Sequence, residues 1–118
     1  MNNREKGIYG ESLVEEYMKK NEYRIIEKNY RAGKNEIDII AVKGDVIVFV
    51  EVKLRNNRLF GMGYDALNHI KKRNIVKSAM KYLLSHNYSN YNVRFDVASI
   101  DENNLVYIEN AFNLNYLK

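Results

Sequence analysis

The sequence contains no cysteine and no proline. Without cysteine, disulfide bonds, thiolate metal sites and cysteine nucleophiles are excluded. Only two histidines are present, His69 and His86, which leaves little room for a multi-histidine zinc site. Any metal bound by this chain is therefore expected to use mainly oxygen ligands.

Long apolar segments are also missing. The longest apolar stretch is Val46–Val50, whereas a membrane-spanning helix needs roughly 20 apolar residues. Residues Met1–Lys6 are mostly polar or charged and no apolar run follows them, so a signal peptide is not indicated. We therefore expect a cytoplasmic protein without membrane contact.

The 118 residues are 46% hydrophobic and 29% charged, which is typical of one packed domain. No repeat or low-complexity linker divides residues 1–118, and we predict a single domain. The formal charge of +4 is unevenly distributed. Residues Lys53–Lys81 hold eight basic residues and one acid, which gives this basic segment +7 and the remainder −3.

The spacing of apolar residues predicts two helices and five strands. Helices are predicted over Lys6–Asn21 and from about Tyr64 to His86. Strands are predicted over Tyr23–Tyr30, Glu36–Val42, Val46–Leu54, Asn92–Ile100 and Leu105–Ile108. Turns are predicted over 31–35 and 43–45, where glycine and asparagine tolerate positive φ. The order αβββαβ, with one more strand, favours an α/β fold in which the second helix joins two parallel strands.

Charged residues interrupt two of these apolar strands. Glu36 and Asp38 alternate with isoleucines in the second strand, and Glu51 and Lys53 alternate with valines in the third. Because strand side chains alternate between faces, each pair shares one face. A hairpin about Gly44-Asp45 would put Asp38 approximately opposite Glu51.

Two carboxylates on adjacent strands form a hard oxygen site that suits Mg²⁺ or Mn²⁺. Such an ion polarises a phosphoryl oxygen and lowers the pKa of bound water, and Lys53 can stabilise developing negative charge. Glu11, beside Gly10 in the first helix, can add a third acid. The alternative is an exposed strand face with cross-strand Glu–Lys pairs, and an ordinary surface glutamate at position 11.

The basic segment predicts contact with a polyanion, because lysine and arginine supply sequence-independent affinity for nucleic-acid phosphates. Phe60 and Tyr64 can contact a base or sugar there, or pack in the core. Lys71 would reach Asp38 and Glu51 only if its helix packs across that end of the strands. The alternative is a solvated basic helix face. The candidate phosphate contacts of this segment are Arg58, Lys71, Lys72 and Arg73.

Several short motifs occur in one order along nearly the whole chain. They are Gly10-Glu11, Asn29-Tyr30-Arg31, Glu36-Ile37-Asp38-Ile39-Ile40, Phe49-Val50-Glu51-Val52-Lys53-Leu54-Arg55, Phe60-Gly61, Lys71, Arg94-Phe95-Asp96-Val97 and Asn110-Ala111-Phe112. This series resembles the YraN-like bacterial proteins, which are similar to archaeal Holliday-junction resolvases and other PD-(D/E)XK nucleases. One departure is Asn35, where the family more often has glycine, and asparagine tolerates the same backbone region.

The resemblance implies a restriction-endonuclease-like αβββαβ core, with a mixed central sheet flanked by helices and one extra C-terminal strand. It implies that Asp38 and Glu51 bind Mg²⁺ or Mn²⁺, that Glu11 joins the metal site, and that Lys53 serves the hydrolytic water. Glu36 would support this site. Arg31 and Arg55 would contact phosphate.

Three functions follow from these features. The first is a metal-dependent endonuclease that hydrolyses phosphodiester bonds in DNA, with branched or damaged DNA as the candidate substrate. The second is a non-catalytic nucleic-acid-binding or adaptor protein on the same fold. The third is an interaction protein whose acids only pair with Lys53. Resolvases of symmetric junctions act as dimers, so a homodimer is a further expectation. The apolar residues of Phe112–Leu117 would serve a dimer surface or cap the core.

Overall fold

The computed structural model describes residues 2–54 and 69–113. These residues form two helices and five strands. In chain order the elements are α1 (Asn3–Lys20), β1 (Arg24–Ala32), β2 (Asn35–Lys43), β3 (Val46–Leu54), α2 (His69–Ser85), β4 (Asn92–Asp101) and β5 (Asn104–Phe112). The predicted order αβββαβ with one further strand is confirmed. The predicted loop over 55–63 and the predicted first turn of the second helix at 64–68 lie outside the described residues.

Helix α1 begins three residues earlier than the sequence pattern indicates, because Asn2 caps it. The Asn2 side chain accepts a hydrogen bond of 2.8 Å from the Glu5 N–H, and Glu5 Oε1 accepts one of 2.9 Å from the Asn2 N–H. This reciprocal capping box satisfies amide groups that the first helical turn leaves unpaired. The helix ends at Lys20 and Asn21 is its C-cap, which confirms Asn21 as the predicted helix stop.

Two glycines allow the tight turns of the antiparallel strands. Gly33 and Gly44 have φ of 65° and 60°, a region that glycine adopts without steric cost. The first turn is shorter than predicted, because Arg31 extends β1 and Asn35 already begins β2. Asn35, which would tolerate a positive φ, does not have one.

The five strands form one mixed sheet in the order β1-β2-β3-β4-β5. Strands β1, β2 and β3 make an antiparallel meander, and β5 is antiparallel to β4. Strand β4 is parallel to β3 because the chain between them crosses over through α2. This mixed sheet matches a restriction-endonuclease-like core with an extra C-terminal strand.

Each face of the sheet is covered by one helix, and we name the two faces after them. On the α1 face, Val14 and Met18 pack against alternate residues of β2, β3 and β4. A Cβ atom on Gly10 would lie 2.6 Å from Leu54 Cδ2, so glycine lets the start of α1 lie against β3. The α2 face buries the apolar side of the second helix, whose members are Ile75, Val76, Ala79, Tyr82 and Leu83.

Ile70 and Phe112, near the start of α2 and at the end of β5, differ in exposure. Ile70 is 70% exposed. The apolar residues of Phe112–Leu117 were expected either to form a dimer surface or to cap the core. Phe112 is buried against the α2-face core, so this residue caps the core. Among the described residues, neither helix is apolar and long enough to cross a membrane.

Candidate active site at the end of β2 and β3

Asp38 and Glu51 lie at the point where two antiparallel strands separate. The last register pair between β2 and β3 is Ile39 with Val50, so Asp38 and Glu51 are the next residues on the two strands. Beyond this point Asp38 Oδ2 accepts a hydrogen bond of 2.8 Å from the Val52 N–H. The Asp38 carboxyl thus replaces a backbone carbonyl as the partner of β3, and the hairpin register brings the two acids together as predicted.

Glu51 is an almost fully buried acid on the α2 face. Ile47 and Phe49 face α2, and strand alternation puts Glu51 and Lys53 on the same side. Glu51 is only 4% exposed, and its Oε2 atom forms an ion pair with Lys71 from α2. Helix α2 therefore packs across the end that carries the acids, which is the condition under which Lys71 reaches them.

Burial and repulsion between like charges shift the pKa values of Asp38 and Lys53. Burial, followed by the like charge of Glu51, raises the pKa of Asp38 from 3.8 to about 8, against the Val52 hydrogen bond. Burial, followed by the positive charge of Lys71, lowers the pKa of Lys53. Groups with pKa values displaced toward neutrality by burial and charged neighbours are frequent in functional sites.

A cavity of about 430 Å³ opens beside the two acids. One wall is the β1–β2 hairpin, which contributes Lys34, Asn35 and Glu36, and the opposite wall is α2, which contributes Lys71 and Asn74 among others. The volume is within the range of small-ligand sites, and the lining is mostly polar and charged. The carboxylates are thus accessible from a space that fits a phosphate group and several waters.

Glu11 lies on α1, which covers the opposite face of the sheet. Its charge still contributes to the raised pKa of Asp38, although less than burial and Glu51 do. Burial raises the pKa of Glu11, and a hydrogen bond with the Asn29 side chain opposes this. Within residues 2–54 and 69–113, no three acids or histidines lie close enough to form a metal-binding cluster. The role of Glu11 as a metal ligand therefore stays a prediction.

Asn29 is a residue of this region to which the sequence reasoning gave no role. It has a positive φ of 53° inside β1. The register pairs Lys28 with Ile39 and Tyr30 with Ile37, so Asn29 lies across from Asp38. A left-handed residue is uncommon inside a strand, and asparagine adopts this conformation more readily than most. The sequence signal that could have singled out this residue is an asparagine inside an otherwise regular strand.

The described basic residues that were predicted to contact phosphate have side chains that point in different directions. Arg31 Nε lies 3.4 Å from Glu36 Oε2 at the hairpin, and Glu36 lines the cavity. On α2, Lys71 points into the site, whereas Lys72 lies over the ring of Phe112. Consecutive helical residues diverge by about 100°, so these two side chains cannot share a target. Arg73 is exposed. Arg55, Arg58, Phe60 and Tyr64 lie outside the described residues.

The oxygen donors fit a hard divalent cation. Asp38 and Glu51 supply two carboxyl groups close enough to repel each other, and this repulsion would be relieved by a bound cation. Mg²⁺ is commonly held by one or two carboxylates, with waters and substrate phosphates completing its coordination. A third protein ligand is therefore not required for Mg²⁺ or Mn²⁺ to suit this pair.

Asp96 is a second buried acid, but it belongs to another part of the structure. It is fully buried and is the register partner of Val50, so it lies on the α1 face. Both of its oxygens accept hydrogen bonds from Arg94, and it also accepts bonds of 2.7 Å from the Tyr107 hydroxyl and 2.9 Å from the Asn110 N–H. These contacts hold the irregular pairing of β4 and β5 together, which gives the Arg94–Val97 motif a structural role.

Comparison with known proteins identifies related chains. A family model described as "Uncharacterised protein family UPF0102" matches residues 10–100. A UPF0102 protein of Persephonella marina is 42% identical over 111 residues, covering 94% of this chain and 96% of the relative. One of Alkaliphilus metalliredigens is 43% identical over 109 residues, covering 90% and 96%. One of Clostridium acetobutylicum is 42% identical over 118 residues, covering 95% and 97%. UPF0102 is the YraN family, so the resemblance of the motifs to YraN-like proteins is confirmed.

Proposed function

This chain belongs to the uncharacterised protein family UPF0102, and we propose that it is a metal-dependent endonuclease that hydrolyses phosphodiester bonds in DNA. The observation that carries the proposal is the pair of acids, Asp38 and Glu51, at the point where β2 and β3 separate. Lys53 lies on the same face of β3 as Glu51, and a polar cavity opens beside the two acids. A buried pair of carboxyls that repel each other costs stability, so a functional reason for keeping it is required.

Asp38 and Glu51 would bind Mg²⁺ or Mn²⁺ through carboxylate oxygens. When bound, such an ion polarises a phosphoryl oxygen and lowers the pKa of a coordinated water. Lys53 would donate hydrogen bonds to the attacking water or to the oxygen on which negative charge develops. Its pKa is lowered by burial and by Lys71, so Lys53 can exchange a proton closer to neutral pH than an exposed lysine can.

The cavity would receive the scissile phosphate. Lys34 and Lys71 provide positive charge on opposite walls, and the amides of Asn35 and Asn74 provide uncharged hydrogen-bond donors. Arg31 lies near the mouth of the cavity through its contact with Glu36. The charge of +7 in the basic segment supports DNA as the polymer that carries this phosphate. Resolving a symmetric DNA junction needs two cuts, and a homodimer would supply the two active sites. A homodimer acting on branched DNA is therefore part of the proposal.

The test is a cleavage panel of linear, single-stranded, flap and four-way DNA with Mg²⁺ and with Mn²⁺. We expect wild-type protein to cut at least one substrate, and Asp38→Ala and Glu51→Ala to lose at least about 100-fold in rate. The matched control is Asp101→Ala, which removes an exposed carboxylate at the end of β4. Circular dichroism verifies that each variant is folded.

Two results would reject the endonuclease. Undiminished cleavage by both alanine variants would exclude the proposed site. Salt-dependent DNA binding without cleavage of any substrate by either metal would instead favour the non-catalytic nucleic-acid-binding or adaptor function on this fold.

A further inference from the structure

The ion pair between Lys71 and Glu51 occupies the centre of the carboxylate site. We propose that Lys71 is a built-in counter-ion of the metal-free protein, and that its ammonium group competes with a divalent metal ion for Glu51. This inference rests on the metal site of the proposed function. It adds a residue that sets the metal concentration at which the site is filled.

The helix directs Lys71 at Glu51 through its packing. Lys71 lies four residues before Ile75, which is buried against the sheet, and residues four apart lie on the same side of a helix. Ile75 is followed at the same spacing by buried Ala79, so the whole row faces the strands. The Lys71 side chain is 45% exposed and lines the cavity, and its ammonium group contacts the Glu51 carboxylate.

Glu51 needs a positive partner when no metal is present. It is 4% exposed, and an ionised carboxylate that is buried without a partner is strongly destabilising. Asp38, the neighbouring residue across the hairpin, cannot supply this charge because it is itself an acid. Lys71 is the cation that the described structure shows in contact with Glu51.

A metal ion and Lys71 cannot share Glu51 without a large repulsion. Lys53 lies two residues after Glu51 on the same face of β3, so the site already holds a second positive charge beside Lys71. A divalent ion between Asp38 and Glu51 would add two further positive charges in the same space. Metal binding is therefore expected to displace the ammonium group of Lys71, and the energy of the ion pair is subtracted from the affinity for the metal.

The competing explanation is that Lys71 only supports the fold. Under that explanation, removing its charge lowers the stability of the metal-free protein and leaves the affinity for metal unchanged. Under our proposal, the same change also tightens metal binding, because the metal no longer displaces a partner. Metal affinity separates the two explanations, and it requires no catalytic assay.

The experiment is calorimetric titration of the full chain with MnCl₂, for wild type, Lys71→Met and Lys71→Gln. The matched control is Lys77→Met, which removes one positive charge from an exposed position of the same helix. We expect both Lys71 variants to bind Mn²⁺ at least about tenfold more tightly than wild type, within the usual range of coupling between sites. The control should stay within about twofold of wild type, because it changes only the screened surface charge.

Melting temperature provides a second measurement on the same proteins. In EDTA the Lys71 variants should melt below wild type, and Mn²⁺ should raise their melting temperatures by more than it raises that of wild type. If wild type binds Mn²⁺ and both Lys71 variants bind it equally well, the inference is wrong and the metal site stands. If neither wild type nor any variant binds Mn²⁺, the proposed metal site fails and the inference fails with it.

Discussion

Replacing Asp38 by asparagine should stabilise the metal-free protein. Burial, followed by the like charge of Glu51, raises the pKa of the Asp38 carboxyl from 3.8 to about 8. Asparagine has nearly the same shape, and its Oδ1 atom can still accept the hydrogen bond from the Val52 N–H. The substitution therefore removes a charge conflict and keeps the contact that joins β2 to β3.

The sign and size of this effect follow from the pKa difference. Because the folded pKa is raised, the stability associated with Asp38 is fully present below about pH 4 and is lost as the pH rises through about 8. The difference from 3.8 corresponds to about 2 kcal/mol at pH 5 and about 4 kcal/mol at pH 7. Water entry and small movements of the side chain reduce this cost, so we expect asparagine to add about 1–3 kcal/mol at pH 7.

The assay is urea unfolding in EDTA at pH 5, 7 and 9, followed by circular dichroism because the chain has no tryptophan. The gain from Asp38→Asn should increase with pH up to about 8 and then level off. Asp101→Asn, at an exposed position, is the control and should change stability by less than about 0.5 kcal/mol at every pH. If Asp38→Asn is no more stable than wild type at pH 7 and 9, or gains the same amount at every pH, the pKa of Asp38 is not raised and this reasoning is wrong.

Two further predictions concern the other buried acid and the metal. Asp96→Ala should cost about 3–5 kcal/mol in urea unfolding, because it leaves the Arg94 guanidinium, the Tyr107 hydroxyl and the Asn110 N–H without their acceptor; a loss below about 1 kcal/mol would contradict the structural role. The affinity for Mg²⁺, measured by calorimetry, should increase about tenfold per pH unit from pH 6 to about 8, since Asp38 must release its proton to bind the metal; a flat profile would mean that Asp38 is not a ligand.

Local patterns of the sequence were sufficient for most of the fold. Alternating apolar residues and the turn at Gly44 predicted the β2–β3 hairpin, with Asp38 approximately opposite Glu51, and the observed register confirms this. These features depend on neighbours within a few residues, where steric preference and side-chain alternation act directly. The boundaries were less accurate at the start of α1, because the Asn2 cap is a hydrogen-bond pattern rather than an apolar period.

The two buried acids show the limit of this reasoning. Glu51 and Asp96 both occur inside apolar strands, and periodicity cannot distinguish them. The parallel pairing of β3 and β4 aligns Asp96 with Val50, so the two acids face opposite helices. Asp96 finds donors from β4 and β5 that satisfy it fully, whereas Glu51 faces another acid and a cavity. That difference arises from chain segments far apart in sequence.

The sequence by itself therefore determined the order of elements, the family, the β2–β3 hairpin and the two acids that are candidate metal ligands. The tertiary structure decided that Lys71 rather than Lys72 enters the site and that Asn29 lies across from Asp38. It also decided that Glu11 lies on the helix covering the opposite face of the sheet. The physical reason is that alternation assigns a side chain to a face of its own element, while long-range packing decides what that face meets.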